Sequence, residues 1–299
     1  MGTIVEATVV ADETKAKQVT GLVFDEMKRI ENLTSFYNPS ELTRINEGAG
    51  KGPQKADPEL LRLVGEALPI SERTDGAFDP TVGPLSRLWQ FSGPGESRLP
   101  SQEEIDNALT KVGWKRVTID LDNETISLPE PGMALDLGGI AKGYTLNRVA
   151  EIIKQSGIRS ALVNIGGDIL ALGEKAPGKP WLVGVEDPRN PKGIIAVAPL
   201  KDRLIVTSGD YQRFFIKEEK RYHHILDPKT GYPADKLQSV TIVGPIGSVL
   251  QPAGTASFVL GVEKGISFIE SLPDAKGFMI DAEGKSHPTA GAEQVFEIK

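Results

Sequence analysis

Cysteine is absent from the 299 residues, which excludes disulfides and thiolate-held metals but leaves the compartment open, since many exported proteins also lack it. No apolar run is long enough to span a bilayer, and no export signal stands at the start. No cluster of Lys and Arg stands out either. With a formal charge of −7 and a pI near 5.2, that argues against nucleic acid as a partner. An anionic substrate would therefore need local help from backbone amides, a lysine or a metal ion. The opening Met1-Gly2-Thr3 suits a cytoplasmic protein and a chain trimmed of its leader equally.

What is present is ordinary soluble composition, 39% hydrophobic and 25% charged, in a chain long enough to bury a sizeable core. Residues 4–10 read as a strand. Val19, Leu22, Val23, Met27, Ile30 and Leu33 mark one face of a long helix over 14–36, ended by Tyr37-Asn38-Pro39-Ser40. Asp57-Pro58 opens a second helix as cap and first residue, and Ser101 with Glu104 forms a capping box for a third. Residues 117–120 and 125–128 read as a hairpin, and strands are expected at 161–165, 182–186, 194–197, 204–207, 214–216 and 239–243, with a helix over 251–260. Strands in pairs rather than in strict alternation with helices indicate an α+β fold, largely antiparallel sheet with packed helices. One compact domain over 1–299 is expected, with the loop at 92–101 the best candidate for a lobe boundary.

Four segments could carry chemistry. Asp136 through Tyr144 is a glycine-rich turn leading into a helix, where exposed amides and Lys142 suit an anion. It matches neither the Walker nor the dinucleotide pattern, and a turn that needs glycine for its dihedrals explains it as well. Asp136 fits a helix cap or a ligand contact. In Asn164-Ile165-Gly166-Gly167-Asp168, paired glycines admit either a close ligand or a tight turn. His223 and His224 are two of only three histidines, and as strand neighbours they face opposite sides. One could face a pocket for proton transfer while the other is structural. Gly76 through Pro84, taken alone, reads as a structural loop around Phe78, and Tyr37 as packing or as a platform for a flat ring.

In this order and spacing the segments resemble the ApbE family of flavin transferases. The likeness covers Met1-Gly2-Thr3, Tyr37 through Asn46, Gly76 through Thr81, Asp136 through Tyr144, Asn164 through Asp168, Thr207 through Tyr211, His223 through Gly231 and Thr255 through Gly261. The resemblance implies an ApbE or T-fold-like architecture and an enzyme that cleaves FAD with Mg²⁺, releases AMP and attaches FMN to a Thr or Ser of an acceptor flavoprotein. It also implies flavin contacts at Met1, Tyr37, Ala77, Phe78, Asp79, Asp136, Lys142 and Ile225, with Asp168 on the adenosine side. His224 corresponds to the histidine that takes the acceptor's proton. The metal would be held by the Gly139 carbonyl, an Asp side chain, and a Thr four residues after it. Thr255 matches, but Gln251 stands in the Asp position, and Mg²⁺ prefers carboxylate. Weaker metal binding, another carboxylate, or a flavin-binding protein with little turnover would each follow. Such proteins are commonly exported and lipid-anchored, so an extracytoplasmic setting with an upstream anchor is the expectation, as is FAD hydrolysis to FMN and AMP as an alternative activity.

Overall fold

The computed structural model describes residues 3–91 and 98–298, so Met1 and most of the 92–101 loop lie outside the described residues. Strand β1 (Val5–Val9) leads into helix α1 (Glu13–Thr34), where Asp12 caps the first turn by accepting from the Lys15 N–H. Helix α2 (Glu41–Glu47) follows where the sequence shows only a turn. Its capping box pairs Ser40 with Thr43 instead of the usual Glu or Gln, which hides the signature. Strand β2 (Gln54–Lys55) precedes α3 (Pro58–Arg73), which starts on Asp57-Pro58 as expected and continues past Pro69. Helices α4 (Gly83–Trp89) and α5 (Gln102–Leu109) flank the loop at 92–101, and α5 begins on the Ser101–Glu104 capping box. Leu85 and Trp89 of α4 pack in one cluster with Ile105 and Ala108 of α5.

Strands β3 (Thr118–Asp120) and β4 (Thr125–Ser127) form the expected hairpin. Helix α6 (Gly138–Gln155) begins at the first of its paired glycines, so Ile140 through Gly143 are helical rather than turn. Strands β5 (Ala161–Ile165) and β6 (Asp168–Leu172) are joined by Gly166-Gly167, both at positive φ, which is the tight-turn reading of that motif. Then come β7 (Trp181–Asp187), β8 (Asn190–Leu200), β9 (Arg203–Gly209), β10 (Phe214–Lys217), β11 (Lys220–His223) and β12 (Leu237–Pro245). The chain ends with α7 (Leu250–Leu260), α8 (Val262–Glu270), β13 (Lys276–Asp281), β14 (Ser286–Pro288) and β15 (Glu297–Ile298).

The central sheet has seven strands in the order β1-β5-β6-β9-β12-β13-β14, and every pairing is antiparallel. Alternate residues face opposite layers. Leu170, Leu204, Val206, Val240, Ile242 and Met279 point to the layer that holds α1, α3, α6 and α7. Ala171, Ile205, Val243, Phe278 and Ile280 point the other way, against Trp181, Val183, Val185, Ala196 and Ala198 of the small sheet β15-β8-β7. Helices, sheet and second sheet thus form three layers. Covering on both faces explains why β12 is buried along nearly its whole length.

Candidate active site

A cavity of about 1170 Å³ is lined by the end of α1, the Tyr37 turn, the 77–82 loop, the start of α6, the β5–β6 turn, the β7–β8 turn, the β10–β11 ribbon and α7. Tyr37, Ala77, Phe78, Asp79, Asp136, Gly139, Lys142, Asp168, His224, Ile225, Gln251 and Thr255 all stand on its wall. It exceeds the range of roughly 300–1,000 Å³ common for small-ligand pockets. It therefore has room for a ligand larger than a single ring system.

The 77–82 loop owes its shape to Asp79, which is buried at 5% exposure. One carboxylate oxygen accepts from the Thr81 N–H at 2.8 Å and the Thr81 hydroxyl at 2.6 Å, and the other from the Trp114 N–H at 3.1 Å. Burial raises its pKa against those bonds. Its carboxylate therefore organises the loop, while Ala77 and Phe78 present surface to the cavity. A Cβ on Gly139 would come within 2.9 Å of the Phe78 ring, so glycine permits that close contact. Tyr37 sits edge-on to Phe36, and burial, then Asp136, push its phenol up to about 12.

Asp136 stands where the 77–82 loop meets α6, one residue before the helix N-cap Leu137. Its side chain accepts from the Gly138 N–H at 2.9 Å at the start of α6, and the residue also borders the cavity. Its N–H donates to the Pro80 carbonyl at 2.7 Å, tying the loop to the helix. Lys142 and Asp168, expected as separate ligand contacts, stand 2.7 Å apart as an ion pair whose angles are not those of a hydrogen bond. Asp168 also accepts from the Thr207 N–H at 3.2 Å.

The two histidines part company, His223 ending β11 and His224 lying in the bend that follows it. His223 is buried; its Nε2 lies 2.7 Å from the Ala234 carbonyl, and its Nδ1 accepts from the Ile225 N–H at 3.3 Å. Those partners fix the Nε2–H tautomer, and desolvation lowers the pKa. His224 is half-buried on the cavity wall, and its Nδ1 has no hydrogen-bond partner among the described residues. Desolvation, then His223, Arg213 and Lys142, hold its imidazole well below the usual range, so it is neutral at pH 7.

Gln251 is committed elsewhere. Its carboxamide oxygen accepts from the Gly143 N–H at 2.9 Å and its amide donates to the Gly138 carbonyl at 2.9 Å, strapping α7 to the first turn of α6. Thr255 Oγ1 lies 3.4 Å from the Gln251 carbonyl. No group of three or more acidic, His or Cys side chains placed to hold a metal occurs among the described residues. The expected metal donors thus reduce to a main-chain carbonyl, a hydroxyl and an engaged carboxamide, without a charged ligand.

Sequence reasoning passed over the arginines. Arg189 grips Asp210 with two bonds of 2.7 Å, and Arg213 and Arg221 line the same cavity. They stand singly in turns and on a short ribbon, so no spacing marks them. Only the pairing of β10 with β11 brings Arg221 to the site.

The sequence profile of the ApbE family matches residues 1–279. An FAD:protein FMN transferase of Treponema pallidum is 34% identical over 277 residues, covering 87% of this chain and 75% of that protein. One from Klebsiella pneumoniae is 34% identical over 261 residues, covering 86% and 80%. Among solved structures, an ApbE protein of Thermotoga maritima superposes with a TM-score of 0.91 at 36% identity, covering 98% of this chain and 96% of that one. The flavin transferase ApbE of Vibrio cholerae gives 0.86 at 28% identity, covering 99% and 96%.

Proposed function

The chain belongs to the ApbE family, and from that premise we propose that it is an FAD:protein FMN transferase. One observation carries the reading: residues from segments far apart in sequence, from Tyr37 to Thr255, meet on one dinucleotide-sized cavity beside a neutral histidine. An acceptor Thr or Ser hydroxyl attacks the FMN-side phosphorus, and His224 takes its proton. The P–O bond to the AMP phosphate breaks, and AMP leaves with the electron pair. Positioning and charge neutralisation dominate in such a transfer. Phe78 and Tyr37 offer faces for the flavin, while Lys142 stands on the same wall with its charge paired to Asp168. FAD, Mg²⁺ and an acceptor flavoprotein incubated with the protein should yield covalent, fluorescent flavin on the acceptor. FAD bound with no transfer to any of several acceptors would overturn the assignment.

Mg²⁺ belongs to this reading through the family, where it would neutralise both phosphates, but the donors here fit it poorly, and no step is routed through it. Gln251, committed to the Gly143 N–H and the Gly138 carbonyl, favours as second reading a flavin-binding protein of slow turnover or an FAD pyrophosphatase. The pyrophosphatase reading requires AMP and FMN to appear without an acceptor. Gln251→Asp should tighten Mg²⁺ and speed FAD cleavage; if neither changes, either position 251 is not at the metal site or another ligand has replaced the missing carboxylate. An extracytoplasmic setting with an upstream lipid anchor is proposed with the family reading, and fractionation of the native cells tests it. No helix among the described residues is long and apolar enough to cross a membrane.

A further inference from the structure

Resting on the flavin reading above, we propose that Arg221 is a substrate-binding residue whose guanidinium donates to a phosphoryl oxygen of the bound flavin nucleotide. β10 and β11 pair only with each other, with Phe214 opposite His223, Phe215 opposite Tyr222 and Ile216 opposite Arg221. Cross-strand partners share a face, and successive residues alternate. Phe215 and Tyr222 stack on each other and on Trp89, which anchors one face of the ribbon. Phe214 and Arg221 are thereby left on the opposite face, and both line the cavity.

There the guanidinium lies 3.8 Å from the centre of the Phe214 ring, a cation–π contact that orients it without satisfying its donors. Its Nη1 is buried and has no hydrogen-bond partner among the described residues. The neighbouring cations are already held: Lys142 by Asp168, Arg189 by Asp210, and Arg213 by a partner of its own. Arg221, among the described residues, has no carboxylate to hold it. A buried donor without an acceptor is costly, more so when it is charged. A phosphate oxygen is the acceptor whose charge and geometry match the guanidinium fork. The need is sharper here because position 251 supplies no carboxylate through which a cation could be recruited to the pyrophosphate.

Titration of riboflavin, FMN and FAD against the wild type, Arg221→Gln and Arg221→Lys, followed by flavin fluorescence, tests the assignment. Arg221→Gln should weaken FAD by about 10–100-fold and leave riboflavin within about twofold, as expected for one charge-assisted bond to phosphate. The FMN arm reports which phosphate is contacted: loss for FMN as well as FAD places the bond on the FMN-side phosphate, and loss for FAD alone on the AMP side. Arg221→Lys keeps the charge without the fork, so it should recover part of the FAD affinity, and it guards against a glutamine variant that misfolds. Equal weakening of all three ligands would overturn the proposal and make Arg221 a prop for Phe214. Unchanged FAD affinity with a raised KM for the acceptor protein would overturn it too, and move the arginine to acceptor recognition. A wild type that binds none of the three ligands defeats the flavin reading itself, whereas a wild type that binds them with an indifferent Arg221→Gln defeats this inference alone.

Discussion

Two adjacent histidines show how one residue of offset separates structure from chemistry. His223 has both ring nitrogens engaged, so replacing it with Leu strands the Ala234 carbonyl and the Ile225 N–H. That should cost about 2–4 kcal/mol of stability, readable in urea denaturation, since each unsatisfied buried group costs roughly 1–3 kcal/mol. His224→Ala should instead leave the melt nearly unchanged and FAD bound, while the transfer rate falls about 10²–10⁴-fold, the span typical of a lost general base. Both side chains have pKa values lowered by desolvation, and the sign follows from linkage. The unfolded chain takes up protons near the ordinary imidazole pKa, whereas the folded one does not until lower pH. Stability is therefore full above about pH 6.5 and falls as pH drops below it, by up to about 1.4 kcal/mol per unit for the buried His223. Denaturation at pH 7.5 and pH 5.5 measures the slope, and His223→Leu should flatten it. Transfer itself should show no acid limb centred near pH 6.5. A limb there would mean that His224 titrates normally and is not held neutral by its surroundings.

At the scale of elements, the site depends on how α6 and α7 meet. Gln251 completes the hydrogen bonding of the first turns of α6 from outside, and a Cβ on Gly143 would come within 3.1 Å of the Gln251 Cβ. The two helices are thus as close as a glycine allows. Gln251→Leu removes an acceptor and a donor at once, and should destabilise the protein by about 2–4 kcal/mol on the same scale. Gln251→Asp loses the donor to Gly138, shortens the reach to Gly143 and buries a charge, so without a cation it should cost at least as much. Gly139→Ala tests the opposite wall. Its methyl would meet the Phe78 ring at 2.9 Å, so the ring must leave its place on the cavity wall. FAD and riboflavin should then weaken together, by about tenfold for roughly 1.4 kcal/mol of lost contact. That pattern is distinct from a phosphate-specific loss at Arg221.

At the scale of the whole molecule, what the sequence discloses is what local forces decide. The caps at Asp57 and Ser101 and the stripe of α1 are short-range effects, and their helices stand where expected. The segments that build the cavity are legible as segments because each carries its own glycines, aromatic or histidine. Their atoms are not, because partners are chosen by sheet order. Lys142 meets Asp168, and Gln251 reaches Gly143, only after β6, β9 and β12 are placed side by side, whereas the Asp79 carboxylate turns into its own loop through a bond two residues away. Strand β6 and helix α2 escaped for the same kind of reason: a two-glycine turn joins β6 to β5, and a threonine stands in the capping box of α2. A ligand that touches walls contributed from Thr3 to Thr255 therefore bridges nearly the whole chain and favours the folded state only. By mass action, FAD at a hundred times its Kd should add about 2.7 kcal/mol to stability. For a chain slightly longer than those for which 1 kcal/mol moves the midpoint by about 2–4 °C, the melting temperature should rise by roughly 4–8 °C. Riboflavin at the same multiple of its own Kd should give the same rise, because the stabilisation depends on saturation and not on which contacts achieve it. Differential scanning calorimetry with both ligands measures this. A smaller rise for FAD would show that part of its binding energy is retained by the unfolded chain, or that FAD is cleaved during the scan, and AMP in the recovered sample distinguishes the two.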